Sequence, residues 1–180
     1  DGTVVSVDDR VDVTALDQAG IVVAVEEHHG QALFGFARRL GLDNQQAADT
    51  VQEALVRLFR ALRGGDHIED PAAWAFRAAY RIGIDEHRLQ RRIAALTERL
   101  IPRDAHRRNS GDDHAGRLSI WGDVDRLPSR QRQVLYLRYK ADLAYDEIAT
   151  VMSVTPAGAR AIAARGIAAL RGVVDPEDFR

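Results

Sequence analysis

Apolar residues recur along most of this chain at intervals of three and four, and no long alternating stretch competes with that spacing. The pattern predicts an all-α protein. Its clearest stretch is residues 44–62, where Ala48, Val51, Leu55, Leu58, Phe59 and Leu62 form one stripe and Asp49, Gln52, Glu53, Arg57 and Arg60 take the opposite side. Asp43 or Asn44 suits its N-cap, and Gly64-Gly65 ends it. Pro71 fits the first turn of the next helix, in which Trp74, Ala78, Ile82 and Ile84 keep helical spacing and which is expected to continue through residues 88–100. Two earlier segments, 16–25 and 32–40, are expected to complete a first bundle, with Gly30 at their junction.

Periodicity fails between Ile101 and Gly116, where polar residues, Pro102 and Gly111 read as a linker. The expected domains are therefore residues 12–100 and 117–175, joined by 101–116. In the second, residues 118–124 open a new helical cluster. Pro128 then starts a helix whose Val134, Leu135 and Leu137 face a core. Helices over 145–152 and 157–173 follow, separated by Ser153-Val154-Thr155-Pro156, a turn of helix-turn-helix length, with Thr155 as cap and Pro156 at the first helical position.

With 46% hydrophobic and 29% charged residues in 180, the chain has enough apolar content for a core, which excludes wholesale disorder. No run approaches the roughly 18 apolar residues of a membrane span, and the first residues lack the marks of a signal peptide. Membrane insertion is not expected, and a cytoplasmic location is. Without cysteine there is no disulfide, thiol nucleophile or thiolate metal site. The net charge of -2 conceals segregation. Residues 1–30 carry seven acidic residues against one Arg, whereas 81–108 and 128–171 are each basic by a margin of four. Two basic segments on a near-neutral chain suit two contacts with a polyanion, although solvated helix faces produce the same runs.

Leu127-Pro128-Ser129-Arg130-Gln131-Arg132-Gln133-Val134-Leu135, then Tyr145-Asp146-Glu147-Ile148-Ala149, then Arg165 and Leu170-Arg171 resemble the promoter-binding C-terminal domain of the extracytoplasmic-function sigma factors of bacterial RNA polymerase. Upstream, Ala48-Asp49-Thr50-Val51-Gln52-Glu53-Ala54 resembles that family's core-polymerase-binding helix, and Trp74 through Asp85 with Arg88 resembles its promoter-melting helix. The resemblance spans roughly residues 12–172, in the family's order and spacing. It implies a two-domain sigma factor that directs the polymerase core to promoter DNA, regulates transcription without an active site, and has an anti-sigma protein as a further partner.

The resemblance assigns Asp49, Gln52 and Glu53 to core-polymerase binding. A helix face of carboxylates and amides can dock on a basic coiled coil, though such a face also serves solubility alone. It assigns Asp66, His67, Trp74, Arg81, Arg88, Arg91 and Arg92 to the minus-ten element. Trp74 would wall a pocket for an unstacked base or simply fill the core, and the arginines following it would contact phosphates. Arg81 stands where relatives usually have Asn, and it cannot accept a hydrogen bond as Asn does. Arg160 and Arg165 are assigned to the minus-thirty-five element. In the same helix Gly158 and Ile162 replace the usual Thr and Arg, and Gly166-Ile167 replace Ala and Arg. Ile162 and Ile167 are either core residues in a shifted register or an exposed apolar face.

Six scattered histidines give no HExxH pattern or paired ligands at helical spacing, and there is no phosphate loop. No metal, cofactor or catalytic residue is expected. The alternative from a different class is a sigma-like interaction protein that binds polymerase or a regulator without recognising a promoter. An ordinary helix-turn-helix regulator leaves the block from Asp49 to Ala54 unexplained.

Overall fold

The computed structural model describes residues 17–98 and 120–171 as seven α-helices, with no strand among them. In chain order these are α1 (Gln18–Arg39), α2 (Asn44–Arg63), α3 (Pro71–Glu98), α4 (Ile120–Asp125), α5 (Ser129–Tyr139), α6 (Tyr145–Met152) and α7 (Pro156–Leu170). The expected linker 101–116 and, of the expected domains, residues 12–16, 99–100, 117–119 and 172–175 lie outside the described residues.

The helix starts have local chemical causes. Asp17 accepts the Gly20 amide at 2.7 Å, and Asp43 and Gln46 exchange hydrogen bonds with each other's amides in a capping box. Asp70 accepts the Ala73 amide at 2.8 Å just ahead of Pro71, and Thr155 accepts the Gly158 amide at 3.0 Å ahead of Pro156. Gly65, with φ +86°, lets the chain turn out of α2.

One expectation is overturned at α1, which runs unbroken through Gly30 instead of dividing there. A single glycine costs a helix roughly 1 kcal/mol, and tertiary packing offsets more than that. Ala24, Val25, Leu33, Phe36 and Ala37 of this one helix are all buried.

Helices α1, α2 and α3 pack together around Leu33, Phe36, Leu58 and Phe76. Phe36 meets Phe76 edge-on at 5.8 Å and stacks near Tyr80 at 6.4 Å. On α2 the buried stripe is broader than the spacing of large residues suggests, because Ala47, Thr50 and Ala54 are buried beside Val51, Leu55 and Leu58. Around α5, the buried Val134, Leu135 and Leu137 meet Ile148, Val151, Ala159 and Ala163 of α6 and α7. These two groups of helices also touch each other, since α1 packs on α5 and α3 packs along α6. One continuous apolar cluster therefore runs through the whole described chain.

Phe36→Ala should lower stability by about 3–5 kcal/mol, because it removes a fully enclosed ring that joins α1 to α3. Thermal or denaturant melting of the full chain measures the loss. A change below about 1 kcal/mol would mean that the site collapses freely.

Candidate nucleic-acid interface

Three surfaces carry the residues singled out in the sequence. The first is the outer side of α2, where Asp49 and Gln52 are exposed and Glu53 is half-buried. Gln45 Nε2 donates to Asp49 Oδ1 at 3.0 Å, and Arg57 Nε donates to Glu53 Oε1 at 2.7 Å. Both acids are thus held by neighbours four residues away on their own helix, so this face presents preset carboxylates. The same stripe continues into Val56, 40% exposed, and a shallow depression lined by Val56, Phe59, Arg60, Arg63 and Gly64. The sequence reading did not include Val56 in a site. Continuing the i, i+3, i+4 series from Asp49 and Gln52 reaches it.

The second surface is α3, an unbroken helix of 28 residues and so about 42 Å long. At 100° per residue, Trp74, Arg81, Arg88 and Arg92 fall within about 40° of one another around the axis and line one face. Arg81, Arg88 and Arg92 are exposed. Among the described residues Arg88 makes an open ion pair with Asp85, at 3.5 Å, and such a pair yields readily to phosphate. The side chain of Arg91 lies outside the described residues. Leu89, Ile93 and Leu96 are each more than half exposed beside these arginines, and the sequence reading did not single them out.

The loop between α2 and α3 leads directly into this face. Asp66 and His67 are exposed in it, while Ile68 tucks against the core. Trp74 lies one turn into α3, its amide bonded to the Asp70 carbonyl at 3.0 Å. Its ring is half-buried against the core cluster. A ring so placed can pack on one side and still offer an accessible surface to a base. The loop and Trp74 therefore share one end of α3, and Arg81, Arg88 and Arg92 are displaced from that end by about 10, 21 and 27 Å.

The third surface is α7, and here the structure separates the two readings of its unusual residues. Ile162 is only 7% exposed and packs with Ala159, Ala163 and Leu170 in the core, while Ile167 lies half-buried against it. A Cβ on Gly166 would lie 2.9 Å from Leu135 Cδ1, so α7 crosses α5 too closely for a side chain there. These residues face inward and pack. The outward strip consists of Ala157, Ala161, Ala164 and Ala168, all exposed, with Arg160 along one edge and Arg165 along the other. The two arginines project about 140° apart around the axis. Arg160 leans toward α6, 3.8 Å from Asp146 and over the Tyr145 ring at 5.6 Å.

No group of His, Asp or Glu that could hold a metal ion occurs among the described residues, and none of their helices is long and apolar enough to cross a membrane.

Comparison with known proteins matches residues 26–93 to Sigma-70 region 2 and residues 124–172 to Sigma-70, region 4. Over 148 residues the chain is 28% identical to the ECF RNA polymerase sigma factor SigL of Mycobacterium tuberculosis, covering 81% of this chain and 84% of that protein. It is 24% identical over 131 residues to the RNA polymerase sigma factor SigV of Bacillus subtilis, covering 73% and 77% respectively. The first match contains all of α2 and nearly all of α3, and the second contains the helix-turn-helix.

Because Ile162 is core, restoring the Arg usual at that position should lower the melting temperature without improving DNA binding. Burying an unpaired guanidinium costs several kcal/mol. Melting curves and duplex titrations of Ile162→Arg check this together. A stable variant with higher affinity would place residue 162 on the reading surface.

Proposed function

Since the chain belongs to the extracytoplasmic-function sigma factors and directs RNA polymerase to promoters, we propose that its exposed helix faces divide that work as follows. The α2 stripe of Asp49, Gln52, Glu53 and Val56 docks the polymerase core. Its carboxylates complement a basic coiled coil, and Val56 adds apolar contact. The loop with Asp66 and His67, together with Trp74, receives an unstacked base of the minus-ten element. Arg81, Arg88, Arg91 and Arg92 then follow the adjoining phosphates. The alignment of Trp74 with Arg81, Arg88 and Arg92 on one helix face carries this reading. It puts a stacking platform at one end of a cationic track.

In the minus-thirty-five element, α7 enters the major groove. Its alanine strip offers methyl groups, which recognise thymine by apolar contact, and Arg160 and Arg165 flank them to hold phosphates or a guanine edge. The protein has no catalytic centre of its own, acts in the cytoplasm and is held by an anti-sigma protein. A second reading is favoured by the composition of that strip. A helix whose outward face is mostly alanine supplies few hydrogen bonds to bases, so the chain would engage polymerase or a regulator and leave promoter choice to other contacts.

Asp49→Ala with Gln52→Ala should weaken association with core polymerase by about tenfold or more, near 1.4 kcal/mol, with helicity and melting nearly unchanged. A titration that shows equal affinity removes the α2 assignment. Trp74→Ala should impair promoter opening in permanganate footprinting. Neutralising Arg88 and Arg92 should instead weaken DNA binding across sequences and reduce the salt slope by roughly 1 for each phosphate no longer neutralised. Competition between matched and scrambled minus-thirty-five duplexes at fixed salt separates the two readings. A preference for the match above about a hundredfold, near 2.7 kcal/mol, excludes the second.

A further inference from the structure

Where α5, α6 and α7 meet, a cluster of side chains lies beside the alanine strip and is not used by the division of work above. Tyr145, the first residue of α6, is half-buried, and its ring packs against the core. The guanidiniums of Arg138 from α5 and Arg160 from α7 each lie 5.6 Å from its centre. Arg138 is fixed in turn, since its Nη1 donates to the Leu143 carbonyl at 3.1 Å and lies 3.6 Å from Asp142 Oδ1. Tyr145 also shares a side-chain hydrogen bond with Tyr139. The ring is therefore held by α5 while it carries an arginine of α7. Asp146, the next residue of α6, takes a second side of that guanidinium, 3.8 Å from Arg160 Nη2. The Arg160 and Asp146 side chains are 59% and 79% exposed, so this pair contributes little to stability. Its effect is on where the arginine points.

Two physical consequences follow for a DNA contact. An arginine loses rotamer freedom when it binds, and one that already leans on a ring and a carboxylate loses less. A carboxylate beside a guanidinium also repels a phosphate that approaches the same group, whereas a guanine edge offers neutral O6 and N7 acceptors and is not repelled. Position along α7 points the same way, because in a helix-turn-helix the N-terminal residues of the second helix reach the base edges. Arg160 is the fifth residue of α7, beside the exposed Ala157, Ala161 and Ala164. Arg165 lies about 7.5 Å further along the axis on the other edge, with no ring or acid against it among the described residues.

We propose that Tyr145 and Asp146 are positioning residues that aim Arg160 at a guanine edge in the minus-thirty-five element and keep it off the phosphates, leaving phosphate contact to Arg165. The inference rests on the assignment of α7 to that element. It gives the alanine strip one strong base contact at its edge. It also gives a role to a negative charge on a surface that faces DNA: Asp146 weakens binding to every duplex, and weakens it least where a guanine is placed to receive Arg160, which is selectivity obtained by repulsion.

Holoenzyme assembled from the full chain and core polymerase, presented with promoter duplexes randomised only across the minus-thirty-five element, reads the base preference at each position. The wild type should enrich guanine at one position, and Arg160→Ala should lower that enrichment by about tenfold or more while other positions keep theirs. Arg165→Ala should weaken binding evenly across sequences. Asp146→Asn should tighten binding to the non-enriched duplexes by about threefold, reduce the guanine preference by a similar factor, and steepen the fall of log K with log salt by roughly 0.9, the slope of one added phosphate contact. Tyr145→Phe, which keeps the ring, should retain the preference, and Tyr145→Leu should lose it. Because Tyr145→Leu can also loosen the packing of its half-buried site, Asp146→Asn, at an exposed side chain, carries the decision. Unchanged guanine preference and salt slope in an Asp146→Asn chain of wild-type helicity overturn the proposal alone. So does a wild-type preference for another base at the position that Arg160→Ala affects. A wild type with no base preference anywhere in the element overturns the α7 assignment and the proposal together.

Discussion

Arg39 is the group on which the arrangement of this protein turns. Burial, helped by the neighbouring Arg132 charge, pushes the guanidinium below its ordinary pKa, and Asp125 and Tyr136 oppose that shift. Arginine nevertheless keeps its charge in proteins, so the surroundings must satisfy it. Besides the Gly35 carbonyl of its own helix, it meets Asp125, Trp121 and Tyr136 of α4 and α5, and the Tyr136 phenol is itself pushed up by burial. The approach is possible only because residue 35 has no side chain. A cation at the end of one helix and a missing methyl one turn earlier thus act, beside the packing of α3 along α6, where two independently recognisable helical units meet.

Within the first unit, the same economy leaves functional faces open. Helix α2 buries Ala47, Val51, Ala54, Leu55 and Leu58, and its remaining side presents Asp49, Gln52 and Val56. Helix α3 packs Ala75, Phe76, Ala78 and Ala79 inward. One side of it carries the half-buried Trp74 near one end and exposed arginines further along. Rigid helices suit the proposed task, because Trp74 and the arginines stay in register only if the backbone between them does not bend.

In the second unit the balance differs. The close crossing of α7 over α5 demands small residues and inward isoleucine, which explains Gly166 and Ile162 by packing alone. What remains outside is alanine with two arginines at its edges. Such a surface is rich in shape and poor in hydrogen bonds. In the proposed promoter complex it would leave most direct base discrimination either to thymine methyl contacts or to other parts of the chain.

Much of this was legible in the sequence, because its signals are local. Amphipathic spacing, Asp43, Pro71, Thr155 and Pro156 set where helices start, and the order of the blocks around Asp49, Trp74 and Tyr145 identified the family. Gly30 misled because a helix break was inferred from one residue's propensity, whereas the buried residues on both sides of it keep α1 whole. The inward direction of Ile162 was not readable either, since on a short alanine-rich helix apolar residues occur all round and only the neighbouring α5 defines which side is inside. The sequence by itself determined most of the helices, the caps at Asp43 and Thr155, the family and the candidate faces, all of which depend on residues a few positions apart. Only the tertiary structure decided that Gly35 lies against Tyr136 and Arg39 against Asp125. These contacts join residues about a hundred and about ninety positions apart, and their energy comes from desolvation and close packing that exist only once both halves are folded.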